Sequence, residues 1–254
     1  TTNSSESIVF GTNSTFNGTI NGLKIIEDAS QNVGIGEGVF DDLTSGDNNT
    51  GIGYQALNDN TTGSNNVAVG NEALFSNTEG HRNIAIGEKS LYSNTSGYKN
   101  VGIGYESVKN SVTGYDNIGI GNCAGKGGST DQRWRNIFMG EDAGLAITQG
   151  CYNIGIGGSA LASFTTGPTD SGGVVDRGSN ICLGASSGRA ITVGYKNIAI
   201  GVNAAHTGTN NLTTGDKNTL IGDYCATNAA DAQNQIVIGY YATGQGDNFA
   251  VIGN

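Results

Sequence analysis

The chain is short of most of what catalysis and membrane insertion draw on. Its 254 residues include two histidines, one tryptophan, one methionine, one proline and twelve lysines and arginines. No apolar run approaches the ~20 residues of a membrane-spanning helix, so no membrane insertion is expected. Acidic residues outnumber basic ones by 22 to 12, giving a net charge of −10, and a chain of that sign is a poor nucleic-acid binder. The four cysteines (Cys123, Cys151, Cys182, Cys225) form no C-x-x-C pair, which excludes the usual zinc spacing. They read as buried free thiols, as expected of a chain folded in a reducing cytosol. His81 and His206 share no position in any pattern, so neither a metal nor a cofactor is expected.

Glycine is what the chain has instead. It supplies 43 residues of 254, against a usual share of roughly 7%. With abundant Asn, Ser and Thr, such a composition can mean disorder. Low charge and apolar residues in small, regular groups argue for order. Residues 117–128 read NIGIGNCAGKGG, and Gly119, Gly121 and Ala124 match the opening of a dinucleotide fingerprint. The same pattern recurs as GIGYQA at 51–56 and GIGGSA at 155–160. A dinucleotide site needs one such turn between a strand and a helix; here the next strand follows within a few residues. Lys126 is followed by Gly127, which rules out a phosphate loop.

The glycines belong to a repeat. A five-residue box, typified by NIGIG, starts at Asn32, Asn49, Asn66, Asn83, Asn100 and Asn117 in steps of 17, then at Asn136, Asn153, Asn180, Asn197, Asn218, Gln235 and Phe249. SIVFG at Ser7 is a degenerate copy in a lead-in segment, residues 1–31. β-Branched residues at the second and fourth positions give period two, hence a strand. The small third residue implies a crowded second face, and the closing glycine a backbone angle closed to other residues. An Ala-Leu or Ser-Leu pair follows (Ala56-Leu57, Ser90-Leu91) and reads as a second short strand; an N-T-T-G turn then returns the chain. Each unit is one coil of an all-β, parallel β-solenoid spanning residues 32–254 in about thirteen ~17-residue coils. Both box faces are apolar, so the outer one is expected to pack on other chains. Box asparagines are expected to hydrogen-bond along the stack.

The box, the small residue and the polar turn together resemble the head repeat of trimeric autotransporter adhesins. The 17-residue form with N-T-T-G turns is similar to the repeats of phage and viral tail fibres. The resemblance covers about residues 32–253. It implies a left-handed β-roll, intertwined or side by side in a homotrimer, assembled with other fibre proteins on a virion or, alternatively, on a bacterial surface. Its implied work is host attachment through a cell-surface polysaccharide or glycoprotein, without catalysis. A spacer shaft or an adhesin head with no receptor site of its own is the alternative.

Departures from the repeat locate the candidate contacts. Two residues before the box, successive coils carry His81, Tyr98, Tyr115 and Trp134, an expected aromatic ladder. One residue before the box come Arg82, Lys99, Asp116 and Arg135, and later Lys196 and Lys217. Aromatic rings beside cations suit sugars with acidic groups; like residues also stack simply because ladders stabilise solenoids. Insertions near 126–135, 168–179 and 208–211 add Arg133, Asp170, Asp176 and Arg177. The carboxylates lie scattered over turns without the paired pattern of a glycosidase, so no enzyme is expected.

Overall fold

A computed structural model describes residues 18–20, 23–27, 30–128, 132–165 and 178–253. Thirteen three-residue strands, from Val33–Ile35 to Ala250–Ile252, coincide with the boxes and pair in parallel, each with the next along the chain. They enclose about twelve turns of a parallel β-solenoid, and no helix occurs among the described residues. Register is strict: Ile84 faces Val101, Ala85 faces Gly102 and Ile86 faces Ile103. The 27-residue step from Asn153 to Asn180 is absorbed without slippage, since Ile154 faces Ile181. At the N-terminal end, β1 (Gly18–Ile20) and β2 (Leu23–Glu27) form an antiparallel hairpin, and β2 pairs antiparallel with β3 (Val33–Ile35), covering the first rung. The degenerate SIVFG copy lies outside the described residues.

The two box faces divide their roles. The small central residue points inward, and Ala68, Ala85 and Ala199 are fully buried. The flanking β-branched residues point outward and stay partly bare: Ile84 is 39% exposed and Ile86 40%. The closing glycine has φ between +124° and +142° at the boxes from Gly36 to Gly239. At Gly53 an added Cβ would strike the carbonyl of Gly70 in the next coil, so glycine is required by contact as well as by angle.

The Ala-Leu segment is not a second strand. Gln55 and Leu57 both sit in the left-handed region, with φ of 53° and 54°, and the same pair of positions does so at Glu72 and Leu74. Alternating right- and left-handed residues turn successive N–H groups in opposite directions along the stack. The N–H of Gln55 donates back to the Glu37 carbonyl, while that of Leu57 donates forward to the Ala73 carbonyl. Coils are therefore tied together here without an extended backbone. Each non-glycine residue held there costs on the order of 1 kcal/mol, sustained by these bonds.

Interior volume is conserved rung by rung. At most rungs with glycine or alanine at the box centre the inward residue six positions later is large, as for Gly51 with Leu57 and Ala68 with Leu74; Gly119 with Gly125 and Ala199 with Ala205 are the exceptions. Where the centre is large, its counterpart shrinks: Phe138 with Gly144, Cys182 with Gly188, Leu220 with Ala226. A Cβ on Gly144 would meet the Phe138 ring, and one on Gly188 would meet the Cys182 sulfur. The buried side chains form two clusters, one from Val39 to Val108 and one from Ala124 to Ala242.

A buried amide ladder runs through the stack. The Asn49 side-chain amide donates to Asn32 Oδ1 (3.0 Å) and to the Gly63 carbonyl at the end of its own coil (2.9 Å); the Asn49 N–H donates to the same Oδ1 (2.8 Å). This set of bonds, allowing for local changes of turn partner, repeats up to Asn218. There Gln235 takes over: its N–H donates to Asn218 Oδ1, its amide turns to Asn228, and its buried Oε1 has no partner. A shorter second ladder, Asn60–Asn77–Asn94, stops at Ser111, leaving Asn94 Oδ1 and Ser111 Oγ buried and unbonded. Asn83→Ala is expected to cost about 2–4 kcal/mol, because it strands the buried Asn100 donors, whereas Ser111→Ala should stay within about 0.5 kcal/mol. Urea unfolding of the two variants checks the contrast.

Candidate functional site

The aromatic column forms as a continuous stack on the surface. Ring centroids are 5.2 Å apart for His81 and Tyr98, 4.9 Å for Tyr98 and Tyr115, and 5.7 Å for Tyr115 and Trp134, with interplanar angles of 5° or less. Parallel in-register coils repeat at about 4.8 Å, so identical positions bring rings to stacking distance automatically. The column ends at the buried Cys151.

The neighbouring column adds charge. Gln31, Asn48, Arg82, Lys99, Asp116, Arg135, Lys196 and Lys217 all have φ between 55° and 63°, the bend that carries the chain from ladder to box. Lys99 Nζ lies 5.8 Å from the Tyr98 centroid. The Arg135 guanidinium lies 5.8 Å from Tyr115 and 5.6 Å from Tyr152. It donates to the Tyr152 hydroxyl at 2.6 Å and faces Asp116 at 3.7 Å. Arg82, Lys99 and Arg135 remain exposed. Exposed pairs of this kind add little stability, which leaves the cations free to meet a ligand.

Stacking changes what the ladder can offer. A sugar ring ordinarily packs on an aromatic face, but each inner ring has both faces against other rings. Only the end rings, His81 and Trp134, keep a face free of another aromatic ring. The rest of the ladder displays ring edges, tyrosine hydroxyls and the neighbouring cations.

Arg133, a sequence candidate for receptor contact, is withdrawn. It is only 2% exposed, and its guanidinium donates to the Gly125 carbonyl at 2.6 Å. Residues 132–134 pair in parallel with 149–151, which turns Arg133 inward and Trp134 outward. It sits where the two core clusters meet. The candidates Asp170, Asp176 and Arg177 lie outside the described residues. In the third insertion, the Gly208 N–H donates to Asn211 Oδ1, closing a short exposed turn.

Two aromatic groups escaped the reading of columns. Tyr224 stacks on Tyr241 at 4.8 Å, and Tyr240 meets Tyr241 edge-on at 4.5 Å. Phe75 stacks on Tyr92 at 5.2 Å. The spacing of 17 within each of the two stacked pairs, Tyr224–Tyr241 and Phe75–Tyr92, was the available signal.

Lys126, the residue behind the phosphate-loop hint, is ion-paired to Glu106, as is Lys109. Burial works to raise the Glu106 carboxyl, but the two ammonium groups outweigh it and hold it at about 2. Burial pushes the Cys182 thiol up to about 12 and Cys225 to about 11, so both are inert. None of the four cysteines forms a disulfide, and no cluster of three or more metal-ligating side chains occurs among the described residues.

Comparison with known protein families, with curated proteins and with solved structures gives no match.

The Glu106 cluster yields a pH dependence. A folded pKa of about 2, below the ordinary 4.5, contributes stability that is full above pH 4.5 and lost as pH falls toward 2. Glu106→Gln is expected to be less stable at pH 7 by on the order of 2 kcal/mol, with the gap closing below about pH 3. Thermal unfolding of both proteins across that range reads it.

Proposed function

We propose that the chain is the shaft-and-contact segment of an elongated surface fibre, three left-handed copies packed through their outward isoleucine-rich faces. The fibre attaches its carrier, a virion or alternatively a bacterial cell, to a surface carbohydrate. The observation that carries the reading is the outer strand face, two files of side chains along thirteen rungs that are apolar at every position but Thr50 and Thr219. Val33, Ile52, Ile84, Ile86, Met139, Ile156, Ile221 and Ile236 are all at least 37% exposed in the single chain. Soluble single chains rarely leave more than a few hundred Å² of continuous apolar surface bare. A rigid stack of coils also suits a fibre, since length scales with coil number and each coil rests only on its neighbours.

For attachment, the support is the aromatic and basic surface beside that face. The end rings of the ladder, the Tyr98 and Tyr115 hydroxyls and the Arg82, Lys99 and Arg135 cations together fit a polyhydroxylated ligand bearing carboxylate or phosphate groups. A shaft without a receptor site is the second reading. The consumption of the inner ring faces by stacking favours it.

Light scattering coupled to size exclusion is expected to give a mass near three times the 25.9 kDa chain. Trp134→Ala and Lys99→Ala together are expected to weaken binding on an acidic-glycan array at least about tenfold while that mass is kept. Unchanged binding would leave the shaft reading standing; a single-chain mass would end the fibre reading.

A further inference from the structure

The apolar face has two edges, and their charges match. The leading edge is the residue before each box, and the trailing edge is the residue after the closing glycine. Five cations stand on the leading edge, on thirteen rungs, and four acids on the trailing edge. Three of those acids fall on cation-bearing rungs: Arg82 with Glu88, Arg135 with Glu141, Lys217 with Asp223. No rung carries the same sign on both edges. All six side chains are exposed.

The pairs do not form within one chain. About five residues of extended strand separate the edges, roughly 16 Å, beyond the reach of a salt bridge. Rotation about an axis parallel to the stack changes this. It sets the leading edge of one copy beside the trailing edge of the next, coil against the same coil. A two-fold axis across the stack would set leading edge against leading edge, so no cation of that edge would meet a trailing-edge acid.

We propose that copies of this chain associate in parallel and in register around an axis along the solenoid, with Arg82–Glu88, Arg135–Glu141 and Lys217–Asp223 formed between neighbouring copies. This rests on the multi-chain reading above and adds its orientation, register and contacts. The face has the area for it: two files of thirteen partly bare side chains present on the order of 1,500 Å² per copy, above the ~800 Å² per partner of a specific interface. Apolar packing supplies the affinity, while the edge charges favour the register, because a slip of one coil in either direction leaves a single opposite pair (Lys99 with Glu88, or Lys196 with Asp223) in place of three. The contact is heterologous and closes as a ring.

Charge reversal at one rung tests it. Arg82 and Glu88 suit the purpose because Arg135 and Asp223 also bond within their own chain. The full chain is compared with R82E, E88R and the combined R82E/E88R, measuring the dissociation constant by sedimentation equilibrium, in mild urea if the assembly is tight. Each single reversal is expected to weaken association at least about tenfold, since every seam then carries like charges. The combined variant should return to the starting value, because each seam regains an opposite pair. Equal dissociation constants in all four proteins would overturn the edge pairing and leave the multi-chain reading intact. A single-chain mass for the unaltered protein would overturn both. As a readout independent of stability, R82C/E88C should oxidise to covalently linked chains on a non-reducing gel, and R82C alone should not; chains that stay unlinked in the double-cysteine variant would equally overturn the pairing.

Discussion

A seventeen-residue coil has almost no interior, and the amide of one asparagine does most of the work of holding it shut. That amide joins the start of a coil to the turn at its end, and it also joins each coil to the one before. Both tasks fall to the same buried group, away from water, where an unmet donor is costly. Everything else depends on this closure. The box strands lie in register because the asparagines do, and the surface columns align because the strands do. The 27-residue step shows the order of dependence: Asn180 still finds Asn153 at 3.2 Å, and Ile181 keeps its register with Ile154.

The period of seventeen made the fold readable. Alternation in the box, a small central residue and a recurrent asparagine each have a direct physical counterpart in the solenoid. The Ala-Leu segment was misread because its backbone alternates between right- and left-handed conformations, and leucine and alanine carry no side-chain signal for the second. Volume matching between Phe138 and Gly144, or Cys182 and Gly188, was in the sequence but meaningless until both positions were known to share one rung. The same ignorance hid Arg133. A residue beside the outward-facing, half-buried Trp134 reads as exposed from sequence, yet adjacent residues of a strand face opposite ways, and pairing with residues 149–151 decides which.

The aromatic ladder was legible as a column, and its geometry followed from the coil spacing. Its chemistry was not. Stacking at about 5 Å is what any solenoid does with aligned rings, and it turns faces able to hold a sugar into faces that hold each other. What the ladder presents outward is a strip of edges and hydroxyl groups beside a row of cations. That strip borders the apolar face, so an assembly around an axis along the stack would bring a second copy's trailing edge close to it.

The asparagine ladder also has a direction. In every rung the later residue donates and the earlier one accepts, so a finished coil leaves an oxygen poised for the residue that follows. The hairpin of β1 and β2 closes the opposite end. The stack is therefore a template with one growing tip, and that tip advances in the order in which a ribosome releases the chain. Each new coil meets a surface already shaped to receive it, and the long-range search that slows most β proteins shrinks to a succession of searches one coil long.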